Sequence, residues 1–137
     1  KKINNHYDFM TVLYPTSPMR NSKDIVKVVN KLFNDGCTSS LAVTTFSLPV
    51  HQALILKNDK IKKAFPNLYD LREEKAPKYY VDNGSTYSIK VKNFMEKKKL
   101  LTKNFGLYIM PPERSVDIDT SYQLELARHY YKKIINK

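Results

Sequence analysis

The 137-residue chain has only three glycines and one cysteine, and each shortage excludes a kind of site. Gly36, Gly84 and Gly106 stand far apart, so no Gly-rich loop of the Walker or dinucleotide type is present to wrap a phosphate. Cys37 has no second cysteine to form an intrachain disulfide, and its place after Asn34-Asp35-Gly36 suits a structural role. His6, His51 and His129 show no metal spacing, and no Ser/His/Asp set can be assembled with specificity. Long apolar runs are missing too: none approaches the roughly 18 residues of a bilayer span. The opening Lys1-Lys2-Ile3-Asn4-Asn5 lacks the apolar core of a secretory signal, so a cytoplasmic chain without a membrane partner is expected. It also lacks an initiator methionine, which suits a processed chain or a fragment.

Acidic residues are scarce as well, 13 against 24 lysines and arginines, for a net charge of +11. Such a balance fits a nucleic-acid partner, attraction of an anionic small substrate, or simple solubility. The positive charges fall mainly at 60–63, 90–103 and 132–137, where they read as wet faces of helices or turns. No zinc-finger, RNA-recognition or GXXG pattern accompanies them, so no nucleic-acid partner is expected.

What is present reads as one α/β domain. Phe9-Met10-Thr11-Val12-Leu13, within an extended stretch over 7–14 that Pro15 ends, predicts a buried strand in a parallel sheet. After Ser22, the residues Ile25, Val26, Val28, Val29 and Leu32 recur at helical spacing with Asp24 in the first turn, and Asn34-Asp35-Gly36 stops the helix. Leu41-Ala42-Val43-Thr44-Thr45-Phe46 completes a strand-helix-strand crossover. From 47 to 80 prolines and charges mix with Leu54, Ile55, Leu56, Phe65 and Tyr69, which predicts an insertion with a hairpin about Asn58-Asp59. Its apolar residues need cover, either in a dimer contact or back on the same domain. Asn83-Gly84 signals a turn before a strand over 85–91, and 93–99 reads as a helix with Phe94 and Met95 inward. Leu107-Tyr108-Ile109-Met110 is a last strand, followed by a helix that Thr120 and Gln123 open as a capping box. The sheet is expected to be largely parallel.

Three constellations can carry chemistry. In Ser115-Val116-Asp117-Ile118-Asp119-Thr120, two carboxylates one residue apart precede a helix and, in extended backbone, share a side. They repel unless a cation lies between them, and a hard divalent ion that completes its shell with phosphate oxygens meets that need. On spacing alone a helix-dipole role for Asp119 explains the pattern better. Tyr14-Pro15-Thr16-Ser17-Pro18-Met19-Arg20 joins a strand to a helix where open α/β sheets place ligands. Thr16 and Ser17 offer hydroxyls and Arg20 a guanidinium for an anion, although a stiff proline turn explains the same residues. Arg72, beside Asp70, Glu73 and Glu74, suits either a sugar carboxylate or a surface ion pair.

Taken in order, the 13–20 and 115–120 segments, with Asp82-Asn83-Gly84-Ser85-Thr86-Tyr87 between them, resemble the acylneuraminate cytidylyltransferases, also called CMP-sialic acid synthetases. The resemblance covers nearly the whole chain. It implies a Rossmann-like nucleotidyltransferase three-layer sandwich, of which this chain is the carboxy-terminal portion, with 47–80 as the inserted dimerisation arm of a homodimer. The implied reaction is attack of the anomeric hydroxyl of a sialic-acid-like nonulosonic acid on the α-phosphate of CTP, giving the CMP-sugar and pyrophosphate. By this similarity Asp117 and Asp119 become the catalytic magnesium ligands. Thr16, Ser17, Asn83 and Tyr87 match sugar-site positions, and Arg72 matches an arginine that the arm sends into the neighbouring subunit's site; Tyr14, Arg20 and His51 of the arm are expected to join them in binding substrate.

Several departures bear on the substrate. Tyr14 stands where bacterial sialic acid enzymes usually have glutamine, His51 where lysine is common, and Leu100-Leu101 near a phenylalanine pair. A legionaminic- or pseudaminic-type acid is therefore as good a substrate expectation as sialic acid. The basic, glycine-bearing CTP loop of the family is absent, so the chain by itself is expected neither to hold CTP tightly nor to turn over.

Overall fold

Pro15 has no amide hydrogen to continue a ladder, and the first apolar run closes ahead of it as β1, Phe9–Leu13. The computed structural model describes residues 6–34 and 36–135; residues 1–5, Asp35 of the expected helix stop, and 136–137 of the last basic cluster lie outside them. The remaining elements are α1 (Ser22–Asn34), β2 (Ser39–Thr45), β3 (Leu54–Lys57), β4 (Lys60–Lys63), β5 (Tyr80–Lys90), α2 (Val91–Lys97), β6 (Phe105–Ile109) and α3 (Ser121–Ile135). By contact the chain divides into two units, Thr45–Val81 and the residues on either side of it.

The larger unit is α/β, and its sheet runs in the order β1-β5-β2-β6. β2 and β6 are parallel, with Leu41 opposite Leu107 and Val43 opposite Ile109. β1 and β5 are antiparallel, with Val12 opposite Tyr87. The Lys90 N–H donates to the Thr38 carbonyl at 3.1 Å, which sets the end of β5 beside the start of β2. β5 thus runs against both its neighbours, so the sheet is mixed rather than largely parallel, and β1 is not parallel to the strand it pairs with. The cause lies in the connection. The chain leaves β2 at Thr45 and enters β5 at that same end of the sheet, which leaves only the antiparallel direction. β1 and β2 still share a direction, as the crossover through α1 requires, but β5 lies between them.

β2 is buried on both faces up to Thr44. Its alternating side chains therefore feed two cores: Ala42 meets Val28 of α1 and Met110, while Leu41 and Val43 meet Tyr87, Val12 and Leu100. Gly106 allows α1 to approach β6, since a Cβ there would stand 3.1 Å from Lys31 Cβ and 3.2 Å from its carbonyl oxygen. Ser40 Oγ donates to the Val28 carbonyl at 2.8 Å, which ties the same helix to β2 without leaving a buried hydroxyl unpaired.

Both long helices start on side-chain caps. Asn21, ahead of the Ser22 singled out by sequence, caps α1: its Oδ1 accepts the Asp24 N–H at 3.1 Å, and Asp24 Oδ2 accepts the Asn21 N–H at 3.0 Å. At α3 the Thr120 hydroxyl accepts the Gln123 N–H at 3.3 Å, while Gln123 Oε1 accepts the Asp119 N–H at 2.9 Å. Two local expectations change. Asn83-Gly84 lies inside β5, which begins at Tyr80, with Gly84 at φ +62° making an irregular step within the strand. Met95 is 59% exposed rather than inward, and of the apolar residues along α3 only Ala127 is buried.

In the Thr45–Val81 unit, Asn58 and Asp59 both take positive φ, 50° and 57°, as a tight two-residue hairpin turn requires. Around that turn Leu54 pairs with Lys63 and Leu56 with Ile61. Among the described residues no helix is long and apolar enough to cross a membrane.

Candidate functional site

The three sequence segments that drew attention are far apart in the chain, yet hydrogen bonds knit them together in the larger unit. From the first, the Tyr14 N–H donates to the Ser85 carbonyl at 3.1 Å, and the Thr16 carbonyl accepts the Ile118 N–H at 2.9 Å. Ser17, wholly buried, directs its hydroxyl at the carbonyls of Gly84 (3.3 Å) and Asn83 (3.4 Å). From the second, Asn83 Nδ2 donates to Ser115 Oγ at 3.0 Å, and its Oδ1 accepts the Ser85 N–H at 3.2 Å. The Asp117 segment is therefore anchored on both sides of the aspartate, at Ser115 and at Ile118.

Asp117 itself packs on Gly84. A Cβ at position 84 would collide with the Asp117 carboxylate, and the positive φ already disfavours any L side chain, so glycine is demanded twice. Asp117 Oδ1 is buried, and nothing among the described residues donates to it. A buried carboxylate oxygen without a partner is costly unless a cation or donor completes it. Asp119, by contrast, is exposed and sits at the capped start of α3. No group of three or more His, Cys, Asp or Glu residues capable of holding a metal occurs among the described residues. A full protein cage for a metal is thus missing, but magnesium commonly takes one or two carboxylates and fills its shell with water and phosphate. One buried, unpartnered carboxylate oxygen on Asp117 is compatible with that mode of binding.

The remaining expected residues fall into different settings. Tyr87 is buried, with its ring 5.4 Å from that of Tyr14, and its hydroxyl donates to the Asp82 carboxylate at 2.8 and 2.9 Å. Burial first, and the Asp82 carboxylate second, push its pKa well above the ordinary phenol value, so it stays a donor. Arg20 spends Nη1 on the carbonyls of Tyr14 (2.8 Å) and Ser85 (3.0 Å), which staples the turn to β5. His51 and Arg72 belong to the Thr45–Val81 unit. There His51 is buried with Nε2 3.1 Å from the Leu71 carbonyl, beside a cleft of about 470 Å³ lined by Phe46, Leu48, Glu73, Lys78 and Tyr80. Arg72 is exposed, and its carbonyl accepts the Lys75 N–H at 2.9 Å; Asp70 pairs with Lys63 instead of with it.

Sequence reasoning assigned nothing to Asp82 or Arg114 and read Asp24 only as a first-turn acid. Asp82 has a local signal, since an Asp two residues before a positive-φ glycine can accept its N–H, here at 3.1 Å. Arg114 and Asp24 have none, being 90 residues apart. Burial alone would raise the Asp24 pKa, but Arg114, the Asn21 N–H and the Tyr108 hydroxyl together hold it below the ordinary carboxylate value.

No protein-family model matches the chain. Among curated proteins it is 30% identical over 131 residues to the pseudaminic acid cytidylyltransferase of Campylobacter jejuni subsp. jejuni serotype O:2, covering 94% of this chain and 56% of that protein. The enzyme of the same name from serotype O:23/36 is 27% identical over 130 residues, with the same coverage. The "Post-translational flagellin modification protein B" of Campylobacter coli is 24% identical over 128 residues, 93% of this chain and 54% of that one. The chain thus spans about half the length of the curated relatives it matches. Along nearly all of its own length it is a homologue of pseudaminic acid cytidylyltransferases, and the resemblance read from its three motifs holds.

Proposed function

We propose that this chain provides the sugar-side half of a cytidylyltransferase, part of a three-layer nucleotidyltransferase sandwich, that joins CMP from CTP to pseudaminic acid or a close nonulosonic relative. The observation that carries this reading is the Asp117 carboxylate, anchored where the three motifs meet, with one buried oxygen left unpaired. In the reaction the anomeric hydroxyl oxygen bonds to the α-phosphorus and gives up its proton to solvent, the bond from the α-phosphorus to the oxygen bridging to the β-phosphate breaks, and pyrophosphate departs. Asp117 and Asp119 would hold magnesium, which when bound supplies positive charge against the phosphate oxygens. Ser17 and Asn83 lock the loop that presents Thr16, while the Tyr14 and Tyr87 rings meet at a 48° tilt to form an aromatic wall. The relatives' names favour pseudaminic acid among the acids considered, and Tyr14 in place of glutamine agrees with a pocket different from that for sialic acid.

The test is to supply CTP, magnesium and, in turn, pseudaminic, legionaminic and N-acetylneuraminic acids to the product of the complete reading frame that encodes this chain. Pyrophosphate release with CMP-pseudaminic acid formation is expected, together with a loss of at least about 100-fold in Asp117→Asn, the scale of removing a principal electrostatic group. Sugar binding that ignores magnesium and never leads to transfer would instead favour a non-catalytic sugar-binding module.

A further inference from the structure

Asp24 is 1% exposed, yet its carboxylate accepts four hydrogen bonds: Arg114 Nε and Nη2 at 2.9 Å each, the Tyr108 hydroxyl at 2.9 Å and the Asn21 N–H at 3.0 Å. These fill the lone-pair sites a carboxylate offers. Helix capping accounts for only the Asn21 bond. It does not call for a bidentate arginine whose own side chain is 24% exposed. Net stability does not explain the arginine either, because a buried ion pair seldom outperforms apolar residues of the same volume. What a guanidinium fork supplies is fixed geometry.

The geometry fixed is that of the segment leading to Asp117. Arg114 ends the Pro112–Arg114 turn, Ser115 is held by Asn83, and Ile118 is held by the Thr16 carbonyl. Asp24 belongs to the first turn of α1, which follows directly on the Tyr14–Arg20 loop. The ion pair therefore joins that loop's far end to the beginning of the segment, and the Thr16–Ile118 bond closes the other end. Between the two clamps stands Asp117, pressed on Gly84 with its Oδ1 unpaired.

We propose that Asp24 and Arg114 are a positioning pair, which holds the Asp117 carboxylate in the orientation that a divalent cation needs; this rests on the reading of Asp117 as a cation ligand. The pair touches neither cation nor sugar and acts through the segment it clamps.

The experiment titrates the chain with Mn²⁺ and follows paramagnetic broadening of amide NMR signals, a readout that does not require turnover. In the wild type, broadening centred on Gly84, Asp117 and Ile118 is expected, and Asp117→Ala should abolish it. Arg114→Lys keeps the charge but loses the fork, and the double change Asp24→Leu with Arg114→Met replaces the pair by apolar residues. Both variants are expected to need at least about tenfold more Mn²⁺ for equal broadening, the effect typical of outer-shell changes. Unchanged Val12 and Ile89 amide signals would report an intact β1–β5 ladder. If either substitution lowers the folded population, Tyr108→Phe removes a single hydroxyl, with an expected shift of at least about twofold. Folded variants that bind Mn²⁺ as the wild type does would overturn the positioning role and leave the cation site standing. A wild type with no broadening at those three amides would overturn both.

Discussion

Gly84 and Gly36 share the same φ of +62°, but their surroundings differ completely. Around Gly36 an added Cβ meets nothing within 4 Å, whereas at Gly84 it meets the Asp117 carboxylate. Gly36→Ala should therefore cost only the left-handed backbone strain, roughly 1 to 2 kcal/mol. Gly84→Ala should cost about 1 to 3 kcal/mol more, because crowding is added to strain. Urea denaturation of both variants provides the comparison. If the excess comes from the carboxylate, Asp117→Ala made in the Gly84→Ala background should recover part of it, with a coupling of at least about 0.5 kcal/mol in the double-mutant cycle. Strictly additive changes would mean that the two residues do not press on one another. Tyr87 gives a second test at this scale. Its raised pKa means that the folded chain keeps a proton the unfolded chain gives up, so stability is whole below the ordinary phenol value near 10 and falls as pH rises beyond it. Tyr87→Phe should remove that part of the alkaline loss, measured as the denaturation midpoint at pH 8 and pH 11.

Asp24 binds elements rather than single residues, since it ties the start of α1 to Tyr108 in β6 and to Arg114 beyond it. Its folded pKa lies below the ordinary value, so its contribution is present above roughly pH 4 and fades as pH falls through the folded pKa. Asp24→Asn leaves a partly buried guanidinium without its anion and should cost about 3 kcal/mol or more at pH 7. The gap between wild type and variant should stay level above about pH 5 and narrow as pH falls below about 4; a constant gap would rule out the depressed carboxylate as the cause. This network also marks the limit of what could be read without coordinates. α1, β2 and α3 were legible because spacing and caps encode them locally, as was the hairpin about Asn58-Asp59. The direction of β5 was not, because alternation looks the same whichever way a strand runs and only the return path of the chain decides it. Asn83-Gly84 misled for a related reason: it carries a turn's chemistry, but the positive φ serves the packing of Asp117 within a strand. In the site, Asp117 could be named from spacing and resemblance, while Arg114 and Asp24 could not, since a pairing over 90 residues leaves no pattern in either neighbourhood.

At the scale of the whole molecule, the exposed apolar side chains of the β3–β4 hairpin conflict with a net charge of +11. Leu54, Leu56 and Ile61 lie on one face of the hairpin, and Leu56 and Ile61 are 69% and 68% exposed. A chain in water gains by covering such a patch, and a homodimer through this unit, which the resemblance to the cytidylyltransferases implies, would do so. Two chains of this charge repel, however, and salt screens repulsion over about 8 Å at physiological ionic strength while leaving apolar burial in place. Sedimentation analysis should therefore show the dimer strengthening as salt rises from 20 to about 300 mM, the reverse of binding to a polyanion, which weakens with salt. Leu56→Glu with Ile61→Glu should yield monomers across that range. Its far-UV circular dichroism should stay close to that of the wild type, because neither side chain is buried within the chain itself. A wild type that remains monomeric at high salt, or a doubly substituted chain that still dimerises, would remove the hairpin from the interface and return its apolar face to the search for another partner.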